Sequence, residues 1–409
     1  MGSLSAILWL RRDLRAFDHP GLDAALELPD VRVIYAADPP RSSFQNDAVT
    51  AALFELSNEL RERGLELERG TVADIINAKP ERVIVTADYT PAGLRRDKQV
   101  SKALGGGIME SLDCNYAVPP GVLHTGTGGH YKVFTPYYRA WSECGWEAPN
   151  LACAGGQAWA DWLEFLEYRL PGYAEQRDRP DLDGTSRISH HLSVGALHPR
   201  GLLETLSESD APVADRQAFA RELAFREFYA DFLYHRPETA TENVNPKFAR
   251  FRWDEATEDF ECWKDGTTGY PIIDAGMRQL LATGWMHNRV RMLVASFFTK
   301  DLHLPWQLGA EYFREMLVDF DEATNQHSWQ WCAGTGTDAS PYFRIFNPQT
   351  QGKRFDPQAN YIKRWVPELA ATPAADIHAM RNLPERYPLP IVDHAEARRE
   401  ALARYQELR

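Results

Sequence analysis

The chain has 409 residues, a formal net charge of −13, and 44% hydrophobic against 25% charged residues. That length allows two or three domains with their own cores, and the balance excludes a disordered chain. No apolar run approaches the ~20 residues of a membrane span and no basic leader precedes the first apolar run, so the expected location is the cytoplasm, with no membrane partner.

The first third alternates short β-branched runs, at residues 7–10, 31–36 and 83–86, with helical stretches such as 47–63. Alternation of this kind predicts parallel strands joined by crossover helices. Two glycine clusters, 105–107 and 126–129, fit neither the GxxxxGK[ST] P-loop nor a strand-anchored GxGxxG, and are read as turn glycines. From residue 160 onward strand signals fade and amphipathic helical spacing takes over, as in Trp162, Phe165, Leu166 and Arg169. The expected fold class is α/β, a Rossmann-like parallel-sheet domain at 1–124, then a linker at 125–160 and an all-helical domain at 161–409. A short helix over 393–408 closes the chain. The five cysteines, Cys114, Cys144, Cys153, Cys262 and Cys332, form no CxxC pair and no even framework. They predict no metal site and no disulfide scaffold, only buried free thiols.

The acidic balance argues against a nucleic-acid partner, because Lys and Arg supply most of the affinity for phosphates. Between residues 340 and 367, however, Arg344, Lys353, Arg354, Lys363 and Arg364 face one acid, Asp356. A solvated face explains this run as well as a phosphate-binding one does.

Seven of the twelve tryptophans lie beyond residue 250: Trp253, Trp263, Trp285, Trp306, Trp329, Trp331 and Trp365. In the run Asp319-Phe-Asp-Glu-Ala-Thr-Asn325-Gln-His-Ser-Trp329-Gln-Trp331, helical spacing sets Asp321, Asn325 and Trp329 in one stripe. A core excludes the carboxylate and a solvent face does not need the indole, so a bound aromatic, hydrogen-bonding ligand explains the mixture. Trp331 must point elsewhere. In Gly284-Trp-Met-His-Asn-Arg-Val-Arg-Met292, the same spacing puts Trp285, Asn288 and Met292 on one face flanked by Arg289 and Arg291. In Arg221-Glu-Leu-Ala-Phe-Arg-Glu-Phe-Tyr229, Glu222, Phe225, Arg226 and Tyr229 share a face, where Glu222 and Arg226 could equally form a plain helical ion pair.

These residues carry a resemblance to the photolyase and cryptochrome family, closest to its class I bacterial branch acting on cyclobutane pyrimidine dimers. Five ordered segments carry it: Trp9-Leu-Arg-Arg-Asp-Leu-Arg15, Thr185-Ser-Arg-Ile-Ser189 with His191-Leu-Ser-Val-Gly195, Thr268-Gly-Tyr-Pro-Ile-Ile-Asp-Ala275, residues 284–292, and Pro341-Tyr-Phe-Arg-Ile-Phe-Asn-Pro348. The resemblance implies an antenna domain joined by a long linker to a helical domain that holds a folded FAD. It also implies a lyase that splits the dimer with light and reduced FAD, with UV-damaged DNA as partner and the monomer as the working form.

By the same resemblance, Tyr173, Thr185, Ser186, Arg187, Ile188 and Ser189 hold the flavin phosphates, a role that amides at a helix start also suit. Arg226, Asn288 and Arg291 line the flavin, with Asp319, Phe320 and Asp321 near it and Asn325 facing N5. Trp329, Trp306 and Trp253 match a relay of electrons from the surface to the oxidised flavin. Glu222, Phe225, Asn288, Met292 and Trp331 match contacts to a flipped-out dimer, and Arg289 and Arg344 contacts to phosphate. Glu222 would stabilise the charge that develops on the dimer. Asn288 and Met292 stand where enzymes for (6-4) lesions carry histidines, which favours cyclobutane dimers.

Three departures from the pattern stand out. Phe225 replaces a tryptophan, Gln326-His327-Ser328 replaces Asn-Gly-Gly and is expected to add bulk beside the flavin, and residues 87–97 lack the glutamate of folate-binding members. The second chromophore is left open among deazaflavin, FMN and folate. The rival reading is a cryptochrome-like FAD photoreceptor, which the absence of a long tail after residue 408 disfavours.

Overall fold

The computed structural model describes residues 6–37, 42–113, 115–337 and 344–408. They form two compact units, one of residues 1–171 and 186–237, the other of residues 172–185 and 238–409.

In the first unit five parallel strands, β1 (Ala6–Leu10), β2 (Val31–Tyr35), β3 (Leu67–Arg69), β4 (Arg82–Thr86) and β5 (Met109–Leu112), are ordered β3-β2-β1-β4-β5. Every residue of central β1 is buried, as a strand covered on both faces requires. Ala6 is in register with Val31 on one side and with Arg82 on the other. The crossover helices are Pro20–Leu26, Ser43–Glu62, Val72–Asn77 and Pro91–Ala103. The expected helix at 47–63 begins four residues early because Ser42 accepts from the Gln45 amide and caps it. β3 and β5 escaped the sequence reading: each is a short edge strand, three and four residues long, with charged residues in place of an apolar run.

Glycines 105–107 all have positive φ in the turn between the helix Pro91–Ala103 and β5. The Thr125 and Gly128 amides bond to Gly129 and Thr125 carbonyls in a tight loop, so both glycine clusters are turns. The helices Phe134–Cys144, Gly156–Glu164, Ser189–Val194, Pro199–Glu208 and Val213–His235 complete this unit.

The motif at 9–15 is held there by buried polar bonds. Asp13 accepts from the Arg11 amide and from Thr86 Oγ1 and lies 3.3 Å from His19. Burial alone would raise its pKa, but the His19 hydrogen bond and charge, with Thr86, hold it at about 2. The Leu14 amide bonds to Val194 O and Arg15 to Gly195 O, so two of the sequence segments pack together. Gly195 has φ +74°, and a Cβ there would lie 2.6 Å from the Arg12 carbonyl carbon. Only glycine fits this close approach.

The second unit is helical. Its core is built on Pro271–Thr283, Asn288–Lys300, Trp306–Met316 and Glu322–Ala333, with Trp263, Trp306 and Trp329 buried among Phe297, Phe298 and Phe313. The segment at 268–275 starts the first of these helices: Asp274 accepts from the Thr268 amide and hydroxyl, the Gly269 amide and Tyr387. The terminal helix, expected at 393–408, runs His394–Gln406.

Among the described residues no helix is long and apolar enough to cross a membrane, and no group of three His, Cys, Asp or Glu is placed to hold a metal. The described cysteines are free, but only Cys332 is buried; Cys144 and Cys153 are exposed and Cys262 is half-buried, against the expectation of buried thiols. Cys114 and residues 341–343 of the last sequence segment lie outside the described residues.

Candidate functional site

In the second unit, the helix Asn288–Lys300 is capped by His287, whose Nδ1 accepts from the Arg289 amide. Its first turn presents Asn288 exposed, with Arg289, Arg291 and Met292 half-buried. Trp285 lies ahead of the cap and so does not share the helical face with Asn288 and Met292 that its spacing suggested. Arg291 donates to Met286 O at 2.7 Å and to Asp319 Oδ2 at 2.8 Å. Asp319 is 8% exposed, and its other oxygen, Oδ1, is buried without a partner among the described residues. Such an orphaned acceptor needs a donor from outside the chain. It fits a ligand with hydroxyl or N–H groups, as FAD has.

Asp321 is not part of a helical stripe; it is the N-cap of Glu322–Ala333, and its Oδ1 accepts from the Thr324 amide at 2.9 Å. Asn325 is buried one turn on, and its Nδ2 donates to Ala310 O at 3.0 Å and to Gln326 Oε1 at 2.9 Å. Gln326 in turn donates to Ala240 O, and His327 bridges Ala323 O and Thr239 Oγ1. The bulk of Gln326-His327 is thus spent on anchoring the helix to residues 239–240, and Ser328 faces solvent. Burial keeps His327 neutral, with its pKa pushed down to about 4.

Trp329 lies edge-on to Phe313, Phe298 and Trp263, at ring separations of 5.1, 5.6 and 6.1 Å. The facing helix offers Gly309, where a Cβ would stand 2.5 Å from Trp329 Cζ3 and 2.8 Å from Cζ2. Trp306 is fully buried and its Nε1 donates to Asn243 Oδ1 at 2.9 Å. Trp253 is half-buried and lies tilted against Phe251 at a ring separation of 4.4 Å, and Phe320 and Trp331 are half-buried against the same core.

Arg289 is paired with Asp178 at 2.8 Å and lies over the Phe355 ring, which Arg354 covers as well. Arg344, Lys353, Arg354 and Arg364 are exposed and Lys363 is half-buried. Tyr173 is buried at the start of a short helix, with Arg177 over its ring, and Thr185 is half-buried.

The other residues singled out in the sequence belong to the first unit. Ile188 is the N-cap of Ser189–Val194 and supplies no side-chain cap, while Arg187 just before it takes a left-handed φ of +56°. Ser186 and Ser189 are half-buried. Glu222 is half-buried on the helix Val213–His235; Phe225 stacks on Phe134 with the rings 8° from parallel. Arg226 does not stand in a simple pair: it donates to Asn115 O and lies over the Tyr116 ring. With Arg11, Asp88 and Ser193 it lines an open cleft. That cleft lies at the C-terminal ends of β1 and β4, where the strand order reverses and ligands of open α/β sheets bind.

Sequence reasoning missed Asp178, Asn243 and Gly309. Asp178 and Asn243 lie 111 and 63 residues from the side chains they hold, and no local pattern marks such pairs.

Residues 6–153 match the family of DNA photolyase, and residues 219–407 match the FAD binding domain of DNA photolyase. Curated relatives named deoxyribodipyrimidine photo-lyase from Vibrio cholerae and Escherichia coli are 36% and 35% identical, each aligned over 98% of this chain and over 99% and 98% of their own. A class III photolyase from Agrobacterium tumefaciens superposes with a TM-score of 0.91 at 34% identity, over 100% of this chain and 98% of its own. An archaeal photolyase from Sulfolobus tokodaii, solved with two FAD molecules, gives 0.87 at 31%, over 98% of this chain and 100% of its own. The chain belongs to the DNA photolyase family: it is an enzyme of light-dependent DNA repair with an FAD-binding domain.

Proposed function

We propose that the enzyme splits cyclobutane pyrimidine dimers in UV-damaged DNA, as a monomer in the cytoplasm. The observation that carries the FAD side of this reading is the buried Asp319, held by Arg291 on one oxygen and left with an orphaned acceptor on the other. The near-full-length relatives named deoxyribodipyrimidine photo-lyase support the substrate class. A Synechocystis cryptochrome at 24% identity shares the fold alone.

In this reading residues 1–124 are the antenna domain, 125–160 the linker and 161–409 the catalytic domain. FAD, when bound, supplies the light-driven electron. Tyr173 and residues 185–189 would hold its phosphates; Asn288, Arg291, Asp319, Phe320 and Asp321 would line it, and Asn325, whose Nδ2 is already bonded twice, would offer its amide oxygen. Trp329, Trp306 and Trp253 pass electrons inward to it. Glu222 hydrogen-bonds a carbonyl of the flipped dimer and steadies the negative charge that develops there. Phe225, Asn288, Met292 and Trp331 pack around the lesion, and the exposed Arg344 with Arg289 meets phosphates. The cleft lined by Arg11, Asp88 and Arg226 at the ends of β1 and β4 is the place for a second chromophore, because ligands of open α/β sheets bind where the strand order reverses.

The test is illumination of the reduced holoenzyme with an oligonucleotide carrying one thymine dimer, following the return of thymine absorbance. Light-dependent return that Glu222→Ala abolishes supports the reading; bound, photoreducible FAD with persisting dimers overturns it.

A further inference from the structure

Trp253 sits in a stretch with no regular structure between the turn Pro246–Arg250 and the helix Glu258–Asp265. A half-buried indole on irregular backbone depends on its packing and on its neighbours' bonds to fix it. Among the described residues, the side-chain hydrogen bonds that tie down Arg252 and Asp254 come from the terminal helix His394–Gln406. Arg404, 8% exposed, spends its guanidinium on both neighbours of Trp253: Nη1 donates to Arg252 O at 3.0 Å and to Asp254 Oδ1 at 2.8 Å, and Nη2 to Asp254 Oδ2 at 3.0 Å. Its Nε donates to Glu400 at 2.7 Å, and Glu400 also takes Arg252 Nη2 at 2.8 Å. The Asp254 amide donates to His303 O at 2.9 Å. Below this polar clamp Phe248, Phe251 and Leu408 form a small separate core against which Trp253 and Tyr405 pack.

We propose that Arg404 is a positioning residue for Trp253: from the terminal helix it grips both residues flanking the indole, the Arg252 carbonyl and the Asp254 carboxylate. The proposal rests on the reading of Trp253 as the outer member of the electron relay. In that relay Trp253 gives one electron inward by way of Trp306 and Trp329 to the light-excited oxidised flavin, and a thiol reductant in solution returns one electron to it. Between the two steps the indole carries a positive charge, and both steps depend on where the indole is held. The planar fork is suited to this clamp, because it meets a carboxylate with two bonds and a backbone carbonyl with the same edge; a lysine cannot. Dimer splitting by enzyme that is already reduced does not use Trp253, so the clamp is needed for photoreduction and not for repair.

The experiment compares holoenzyme carrying Arg404→Ala, Arg404→Lys and Trp253→Phe with the parent. It follows blue-light reduction of the oxidised flavin with a thiol present, the transient absorption of oxidised tryptophan, and dimer splitting after reduction with dithionite. Arg404→Ala is expected to slow photoreduction on the order of tenfold, within the roughly 100-fold that an ångström of misplacement costs a reacting group. The oxidised-tryptophan signal should fall in yield, the Asp254 amide should exchange hydrogen faster, and dithionite-reduced enzyme should repair at the parent rate; Arg404→Lys should fall between. Parent-rate photoreduction in Arg404→Ala beside a dead Trp253→Phe overturns the proposal and leaves the relay standing. Parent-rate photoreduction in Trp253→Phe overturns the relay and the proposal with it. Should Arg404→Ala fail to fold, Asp254→Asn decides: slowed photoreduction with intact repair supports the clamp, and unchanged photoreduction overturns it.

Discussion

Replacing Gly309 by alanine isolates the packing of Trp329. The position is inside the helix Trp306–Met316, where alanine is intrinsically better than glycine by about 1 kcal/mol. Packing opposes this gain. The new Cβ would fall 2.5 Å from Cζ3 and 2.8 Å from Cζ2 of Trp329, and closer still to Cη2. The indole cannot swing clear, because Phe298, Phe313 and Trp263 surround it edge-on and it is 2% exposed. Overpacking of a filled core costs roughly 1–3 kcal/mol, and three ring atoms in conflict put this site at the upper end. The net expectation is a loss of about 2 kcal/mol after the propensity gain. Chemical denaturation monitored by circular dichroism reads it as a lower midpoint at unchanged slope. In a Trp329→Phe background the ring is smaller, and Gly309→Ala should become neutral or stabilising. If Gly309→Ala raises stability in the parent, or costs the same in both backgrounds, the close approach is not what selects glycine here.

Asp319→Asn keeps an acceptor for Arg291 but removes its charge, and should destabilise by about 2 kcal/mol, the typical worth of a charged hydrogen bond. Flavin fluorescence released on dilution should show FAD leaving this variant faster than the parent. His327 is buried and neutral with its pKa pushed down to about 4 from 6.5, so between these values the unfolded chain binds a proton that the folded chain does not. Its contribution is therefore present above pH 6.5 and is lost as pH falls toward 4, amounting to about 2 kcal/mol by pH 5. His327→Gln should flatten the decline in unfolding free energy between pH 7 and pH 5; an unchanged decline would show that other groups carry it.

The sequence by itself determined the architecture, the family and the FAD-binding domain. Short β-branched runs at β1, β2 and β4 and the shift to helical spacing after residue 160 are local signals, because apolar patterning follows directly from which faces are buried. Motifs such as residues 284–292 and 319–331 were legible for the same reason: they put unusual polar and aromatic residues at helical spacing. Local pattern misplaced Asp321, which caps its helix, and Trp285, which precedes one, because helix boundaries depend on a single cap residue. Tertiary structure alone decided that Arg289 meets Asp178, that Trp306 finds Asn243, that Gly195 must yield to the Arg12 carbonyl and that Arg404 reaches back to Asp254. Such pairings join residues distant in sequence through packing of whole elements, and no periodicity within one element encodes which partner the fold will bring to it.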